Sequence, residues 1–279
     1  MSTSKRVFSK ENLLFILLGG FFLTNALLAE FIGVKIFSLE RLFGFSPLNI
    51  SIFGQENISF NLTAGVLLWP IVFIMTDVIN EYFGRRGVRI LSFLAVGMIS
   101  YAFIMAYMAI EIPPADFWPN SHLERASNSA SRTDLAGEVG NYNTAFRLIF
   151  GQGLWIIVGS LVAFLIGQFV DVWVFQNIRS FTGEKKVWLR ATGSTLVSQF
   201  IDSFVVLIIA FYLGAGWDLA LVLAIAVVNY FYKFTMAIAL TPLIYLAHHL
   251  IDLFLGADLA ADLKQQASNQ PLDLNKLVE

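Results

Sequence analysis

The chain has 279 residues, of which 57% are hydrophobic and only 14% charged, with a mean hydropathy of +0.70. A soluble domain carries about 25% charged residues, so the composition excludes an ordinary soluble globular protein and places the chain in the membrane class. A net charge of −2 without a long basic run excludes a nucleic-acid partner, and the absence of cysteine excludes disulfides, thiolate catalysis and cysteine metal sites.

A membrane-spanning helix needs about 20 mostly apolar residues. Six segments qualify: 13–37, 62–83, 88–110, 148–175, 189–213 and 219–250. The first follows Lys5, Arg6 and Lys10 but is too long for a cleaved signal core, so an uncleaved first span is expected. The sixth contains Pro242, which predicts a kink or break there. The 111–146 loop reads as the only long connection, and its run Ser127-Asn128-Ser129-Ala130-Ser131 has the composition of a mobile segment. Residues 1–255 read as one transmembrane domain. Residues 256–279 read as a cytoplasmic polar tail with a short helix.

Lys/Arg placement in short loops sets orientation. One side carries Lys5, Arg6, Lys10, Arg85, Arg86, Arg89, Arg179, Lys185, Lys186 and Arg190; the other carries only Lys35, Arg41, Arg125 and Arg132. The expectation is an all-α integral membrane protein with six transmembrane helices and both termini in the cytoplasm.

Against this apolar background the polar residues stand out. A charged group at membrane depth costs roughly 2.5–3.5 kcal/mol on insertion scales and is kept when it lines a cavity, a path or a helix contact. Asp77 shares a helix face with Asn80 and Glu81, and Gln168 shares one with Asp171. Thr195, Ser198, Gln199 and Asp202 form one stripe, with Ser194 beside Ser198. Asn25 and Glu30 lie on the first span and Lys233 near the middle of the sixth. The six-residue echo of Gly167-Gln168-Phe169-Val170-Asp171-Val172 in Ser198-Gln199-Phe200-Ile201-Asp202-Ser203 falls on neighbouring, oppositely directed spans, a plan common in transporters.

Carboxylates accept from a guanidine-like edge, amides both donate and accept, and Trp69, Phe73, Trp155, Trp173, Tyr230 and Phe231 offer flat faces. Together these suit a planar nitrogen heterocycle and not a phosphate. Each group also has a structural reading. Glu81 can mark the membrane interface, Asp77 can be an ion-pair partner, Gln168 and Gln199 can join helices, and Lys233 can neutralise a carboxylate. His248 and His249 read as interface residues. An intramembrane enzyme is disfavoured, because His122 lies in the outer loop and His248 and His249 cannot share a helix face.

Thr76-Asp77-Val78-Ile79-Asn80-Glu81-Tyr82-Phe83-Gly84 resembles the second-helix signature of the queuosine precursor transporter (VUT) family. Gly159-Ser160-Leu161-Val162-Ala163-Phe164, Gln168-Phe169-Val170-Asp171-Val172, Trp188-Leu189-Arg190, Ser194-Thr195 and Ser198-Gln199-Phe200-Ile201-Asp202-Ser203 resemble its second signature, and Asn25 with Lys35 resembles its first-helix pair. The resemblance implies uptake of 7-deazaguanine bases (7-cyano-7-deazaguanine and 7-aminomethyl-7-deazaguanine) across the bacterial inner membrane, without a cofactor. It implies a fold similar to the substrate-binding subunits of energy-coupling-factor importers, and a homodimer. Carried over by position, the substrate-contacting or gating residues are Asn25, Asp77, Asn80, Glu81, Gln168, Asp171, Arg190, Ser194, Gln199, Asp202 and Lys233. The alternative is a substrate-capture subunit serving a separate ATP-driven module, since no Walker loop is present in the chain.

Overall fold

The structure is a computed structural model that describes residues 9–121, 140–151, 154–182 and 186–270. Lys5, Arg6, Arg125, Arg132, Lys185, the 127–131 run, His122, the ring of Trp155 and the tail from Pro271 lie outside the described residues. Helix α1 (Lys10–Ile32) starts at Ser9, whose side chain accepts the Asn12 N–H. Strand β1 (Ile36–Ser38), the short α2 (Leu39–Leu42), β2 (Ile50–Ile52), β3 (Gln55–Ile58) and β4 (Asn61–Thr63) follow, then a 3-10 turn (Ala64–Leu67) and α3 (Trp69–Glu111). The chain continues through α4 (Tyr142–Phe150), α5 (Leu154–Thr182), α6 (Val187–Leu207) with a π-helical end (Ile208–Leu213), α7 (Leu219–Ala239), α8 (Thr241–Leu255) and α9 (Ala257–Ser268). Among the described residues five helices are long and apolar enough to cross a membrane, counting α3 as one, and six if the bent α8–α9 pair is one span.

Helix α3 is two rods joined by one residue. Gly84 has φ +66° and ψ −168°, a backbone region that only glycine enters cheaply. The contacts on either side show that the chain doubles back there. Phe15 packs on Phe83, with ring centroids 5.0 Å apart, and also lies beside Gly87. At the other end of α1, Gly65 meets the backbone of Ala29 while Phe103 stacks on Phe31 at 5.2 Å. Residues 65 and 103 are equally far along the chain from Gly84, so residues 69–83 and 85–111 run antiparallel beside α1. The end of the bundle at Gly84 is called the turn end below, and the opposite end, at the β-strands, the strand end.

Helices α5 and α6 form a second antiparallel pair. A Cβ on Gly159 would sit 3.1 Å from the Val206 carbonyl oxygen, and one on Gly167 would sit 3.6 Å from Cβ of Asp202. Small residues at four-residue spacing, Gly159, Ala163 and Gly167, let the backbones approach. The echoed Gln-aromatic-aliphatic-Asp segments thus face each other in opposite directions.

The sixth apolar segment divides at Leu240, with Pro242 in the first turn of α8, where a proline has no helical N–H to lose. Beyond Gly256 the chain bends by 117° into α9. Ala260, Leu263 and Ala267 are buried, and the first two pack into the core with Val78, Tyr82, Ile251 and Leu255. The Gln270 side chain donates to the Phe83 carbonyl (3.1 Å) and accepts from the Arg86 N–H (3.1 Å), closing the Gly84 turn. The segment after Gly256 is therefore packed onto the bundle through Gln270.

The expectation that 111–146 is the only long connection needs correction: residues 33–63 form a structured cap at the strand end. Strands β1 and β4 pair antiparallel, as do β2 and β3 around the left-handed pair Phe53 and Gly54. Ile58 packs on Ala224 and Val228, and Leu62 and Val66 pack on Tyr232. Burial pushes the Glu40 carboxyl up, but the Phe60 N–H (2.8 Å) and the Ser38 hydroxyl (2.9 Å) outweigh it and hold its pKa below the usual carboxylate value. The fold is mostly helical, as expected of an all-α membrane protein, and the strand-end cap adds two small two-stranded sheets among the described residues.

A methyl group on Gly84 would meet Gln270 at 2.5 Å, as well as the backbone strain. Gly84→Ala should cost about 1–3 kcal/mol, read as a lower melting temperature of the purified protein. Gly97→Ala, on the same helix with open space around it, should be neutral or slightly stabilising.

Candidate substrate-binding site

The polar residues of α3, α5 and α6 converge inside the bundle. Thr76, Asp77, Asn80 and Glu81 are all buried, as are Gln168, Asp171, Gln176 and Arg179 on α5 and Arg190, Ser194, Ser198 and Gln199 on α6. Each helix offers these groups on one face because they recur every three or four residues. Burial at this depth requires partners, and the network supplies most of them. The Thr76 hydroxyl donates to Gln168 Oε1 (3.0 Å), Gln176 Nε2 to Asn80 Oδ1 (2.7 Å) and the Ser198 hydroxyl to Asp171 Oδ1 (3.1 Å). Arg190 donates to Glu81 Oε1 at 2.5 Å, and Arg179 lies 3.8 Å from the same oxygen. Arg179 also donates to the Lys264 carbonyl at 2.8 Å, tying α5 to α9.

Above this network, toward the strand end, lies a narrow cavity of about 30 Å³ with an open mouth. Trp69 and Phe73 form one wall, with ring centroids 6.1 Å apart. Asp77, Thr192, Thr195, Gln199 and Lys233 supply the polar lining, and Ala237, Leu240 and Ile244 an aliphatic side. The Thr195 hydroxyl donates to Asp77 Oδ2 at 3.4 Å, while Asp77 Oδ1 and Gln199 Nε2 are buried without a hydrogen-bond partner. An acceptor and a donor are thus held beside an aromatic wall.

The expected site residues divide. Asp77, Gln199 and Lys233 line the cavity, and Asp202 holds Lys233 through a 2.5 Å ion pair. Asn80, Glu81, Gln168, Asp171 and Arg190 form the network behind it, and Ser194 donates to the Ala191 carbonyl. Asn25 spends its amide on the Phe21 carbonyl of its own helix, and Glu30 accepts from the Ser160 hydroxyl. The structural readings of Gln168 as interhelical link and Lys233 as counter-ion both hold. Glu81 is not an interface marker, since it is 1% exposed and ion-paired. Trp173 and Phe231 are exposed and point away from the cavity.

Gln176, Arg179 and Thr192 were not expected at the site. Gln176 and Arg179 continue the Gln168 face at helical spacing, so the periodicity carried that signal. Among the described residues no cluster of histidine, cysteine, aspartate and glutamate suits a metal ion.

Long apolar helices around a largely apolar cavity that carries a few polar groups are the build of a multi-pass membrane protein of the solute-transporter class. The family described as "Putative vitamin uptake transporter" matches residues 63–247, from the end of β4 into α8. A "Probable queuosine precursor transporter" of Bacillus subtilis (strain 168) is 31% identical over 199 residues, covering 69% of this chain and 75% of the relative. A "Probable queuosine precursor transporter" of Haemophilus influenzae is 28% identical over 170 residues, 60% of each chain. The "Queuosine precursor transporter" of Escherichia coli (strain K12) is 24% identical over 187 residues, 65% of this chain and 70% of the relative. The chain belongs to the queuosine precursor transporter family, a family of transporters and not of enzymes. No solved structure matches it.

Removing one member of a buried ion pair typically costs 3–5 kcal/mol, whereas neutralising both is far cheaper. Arg190→Met should therefore destabilise the purified protein by about that amount. Adding Glu81→Gln should recover part of the loss, a double-mutant cycle read by thermal unfolding.

Proposed function

We propose that the protein imports queuosine precursors, 7-cyano-7-deazaguanine and 7-aminomethyl-7-deazaguanine, across the bacterial inner membrane with both termini in the cytoplasm. The observation that carries this reading is the buried, unpaired pair Asp77 Oδ1 and Gln199 Nε2 beside Trp69 and Phe73. A guanine-type edge presents adjacent N–H donors and a carbonyl oxygen. The carboxylate of Asp77 accepts from the donors, and the Gln199 amide donates to the oxygen. The aromatic wall takes the flat face of the ring. Without these contacts the two groups bear the desolvation cost of buried unsatisfied atoms, so a base that satisfies them is favoured over an isostere that does not.

The described arginines and lysines support the orientation. Lys10, Arg85, Arg86, Arg89 and Lys186 gather at the turn end, which faces the cytoplasm under the positive-inside rule. Between cavity and cytoplasm lie the Glu81–Arg190 pair and a cluster in which Tyr82 donates to Asp252 Oδ1 (2.7 Å) and Lys264 donates to Asp252 Oδ2 (3.0 Å). Release into the cytoplasm then requires α8 and α9 to move off the turn end.

Expressed in a bacterium that lacks both precursor synthesis and its own importer, the protein should restore queuosine in tRNA when either base is fed at low concentration. The readout is a boronate-gel shift. Asp77→Asn should abolish the shift with an unchanged amount of protein in the membrane. An inserted wild-type protein that gives no shift would sink the reading.

A further inference from the structure

Lys233 and Asp202 form a fixed charge pair beside the cavity, 12% and 17% exposed, and the network behind the cavity does not use them. We infer that this pair reads the substituent at C7 of the base, accepting a neutral hydrogen-bond acceptor such as a nitrile and disfavouring a cationic aminomethyl group. The inference rests on the deazaguanine reading and adds the residue that chooses between the two precursors.

Placement along α6 gives the argument. Thr195, which contacts Asp77, Gln199 and Asp202 succeed one another by about one turn each. From Thr195 to Asp202 is roughly 10 Å at 1.5 Å per residue, about the long dimension of a bicyclic base with a short substituent. On α7, Lys233 stands one turn before Ala237 and two before Leu240, which line the rest of that side. Asp77 with Thr195, then Gln199, then Lys233 held by Asp202 therefore follow one another along one side of the cavity, with Gln199 one turn from the charge pair. In a 7-deazaguanine the C7 substituent projects beside the C6 carbonyl, so a base whose N–H donors meet Asp77 and whose carbonyl meets Gln199 presents that substituent about one turn further on, at Lys233.

The chemistry follows from the ammonium. It has three N–H donors, and Asp202 Oδ2 takes one. A nitrile nitrogen can accept another without adding charge. An aminomethyl cation meets the Lys233 ammonium as a like charge at close range, and Asp202 Oδ2, already held by Lys233, leaves only the second carboxylate oxygen to offset it. Lys233→Gln alone would leave Asp202 as an uncompensated buried charge and could damage folding. The double substitution Lys233→Gln with Asp202→Asn removes both charges and keeps two groups able to hydrogen-bond.

The experiment measures initial uptake of each base separately, by mass spectrometry of washed cells, and reports the nitrile-to-aminomethyl ratio. Wild-type protein should favour the nitrile. The double variant should shift the ratio toward the aminomethyl base by roughly tenfold, and Lys233→Arg should keep the wild-type ratio whatever its total rate. A ratio in the double variant within about twofold of wild type overturns the inference. So does a membrane-inserted double variant that takes up neither base, because the pair would then be needed for transport itself. Wild-type protein that takes up neither base would instead remove the functional reading beneath it.

Discussion

The cost of burying charge at membrane depth governs this molecule. Glu81, Arg190 and Arg179 are 1%, 0% and 4% exposed, and none of them could be kept there alone. Their pairing joins α3, α5 and α6, and the Lys264 carbonyl brings in α9. The same rule makes the exceptions informative. Of the buried side-chain atoms without a hydrogen-bond partner among the described residues, an oxygen of Asp77 and a nitrogen of Gln199 belong to residues that line the cavity, and these are the two groups the proposed base would satisfy.

The geometry of that network depends on a single residue of backbone. Gly84 reverses α3 three residues after Glu81, so Asp77 and Glu81, one helical turn apart, lie near the closed end of a hairpin. Gln270 then fills the space a side chain would need, which ties the end of the described chain to the same turn. Tyr82, Asp252 and Lys264 add a second layer, with the Tyr82 and His248 rings stacked at 5.6 Å. The cavity, the ion-pair layer and the α8–α9 elbow thus lie in series from the strand end to the turn end.

Much of this was legible in the sequence. Apolar runs of spanning length fall on the long helices, and Pro242 marks the break between α7 and α8 because proline cannot supply an interior helical N–H. Asp77, Gln199 and Lys233 stood out as polar residues in apolar runs. Pairing was not legible: Glu81 and Arg190 are 109 residues apart, and only packing brings them together. Arg179 was read for its charge in a loop count, although its helical spacing from Gln168 put it on the inner face. The strands of residues 33–63 are too short for alternation to show, and Phe53-Gly54 was the available turn signal. The outward rings of Trp173 and Phe231 show that an aromatic in a membrane helix carries no direction by itself.

The central claim is that Asp77 and Gln199 recognise a guanine-type edge. Titration calorimetry of the purified protein with 7-cyano-7-deazaguanine and with 7-cyano-7-deazaadenine tests it directly. The two share size, ring face and substituent and differ only in that edge. The account predicts that the guanine-type base binds at least roughly a hundredfold more tightly, and that Asp77→Asn removes most of the difference. Equal affinity for the two bases would contradict it.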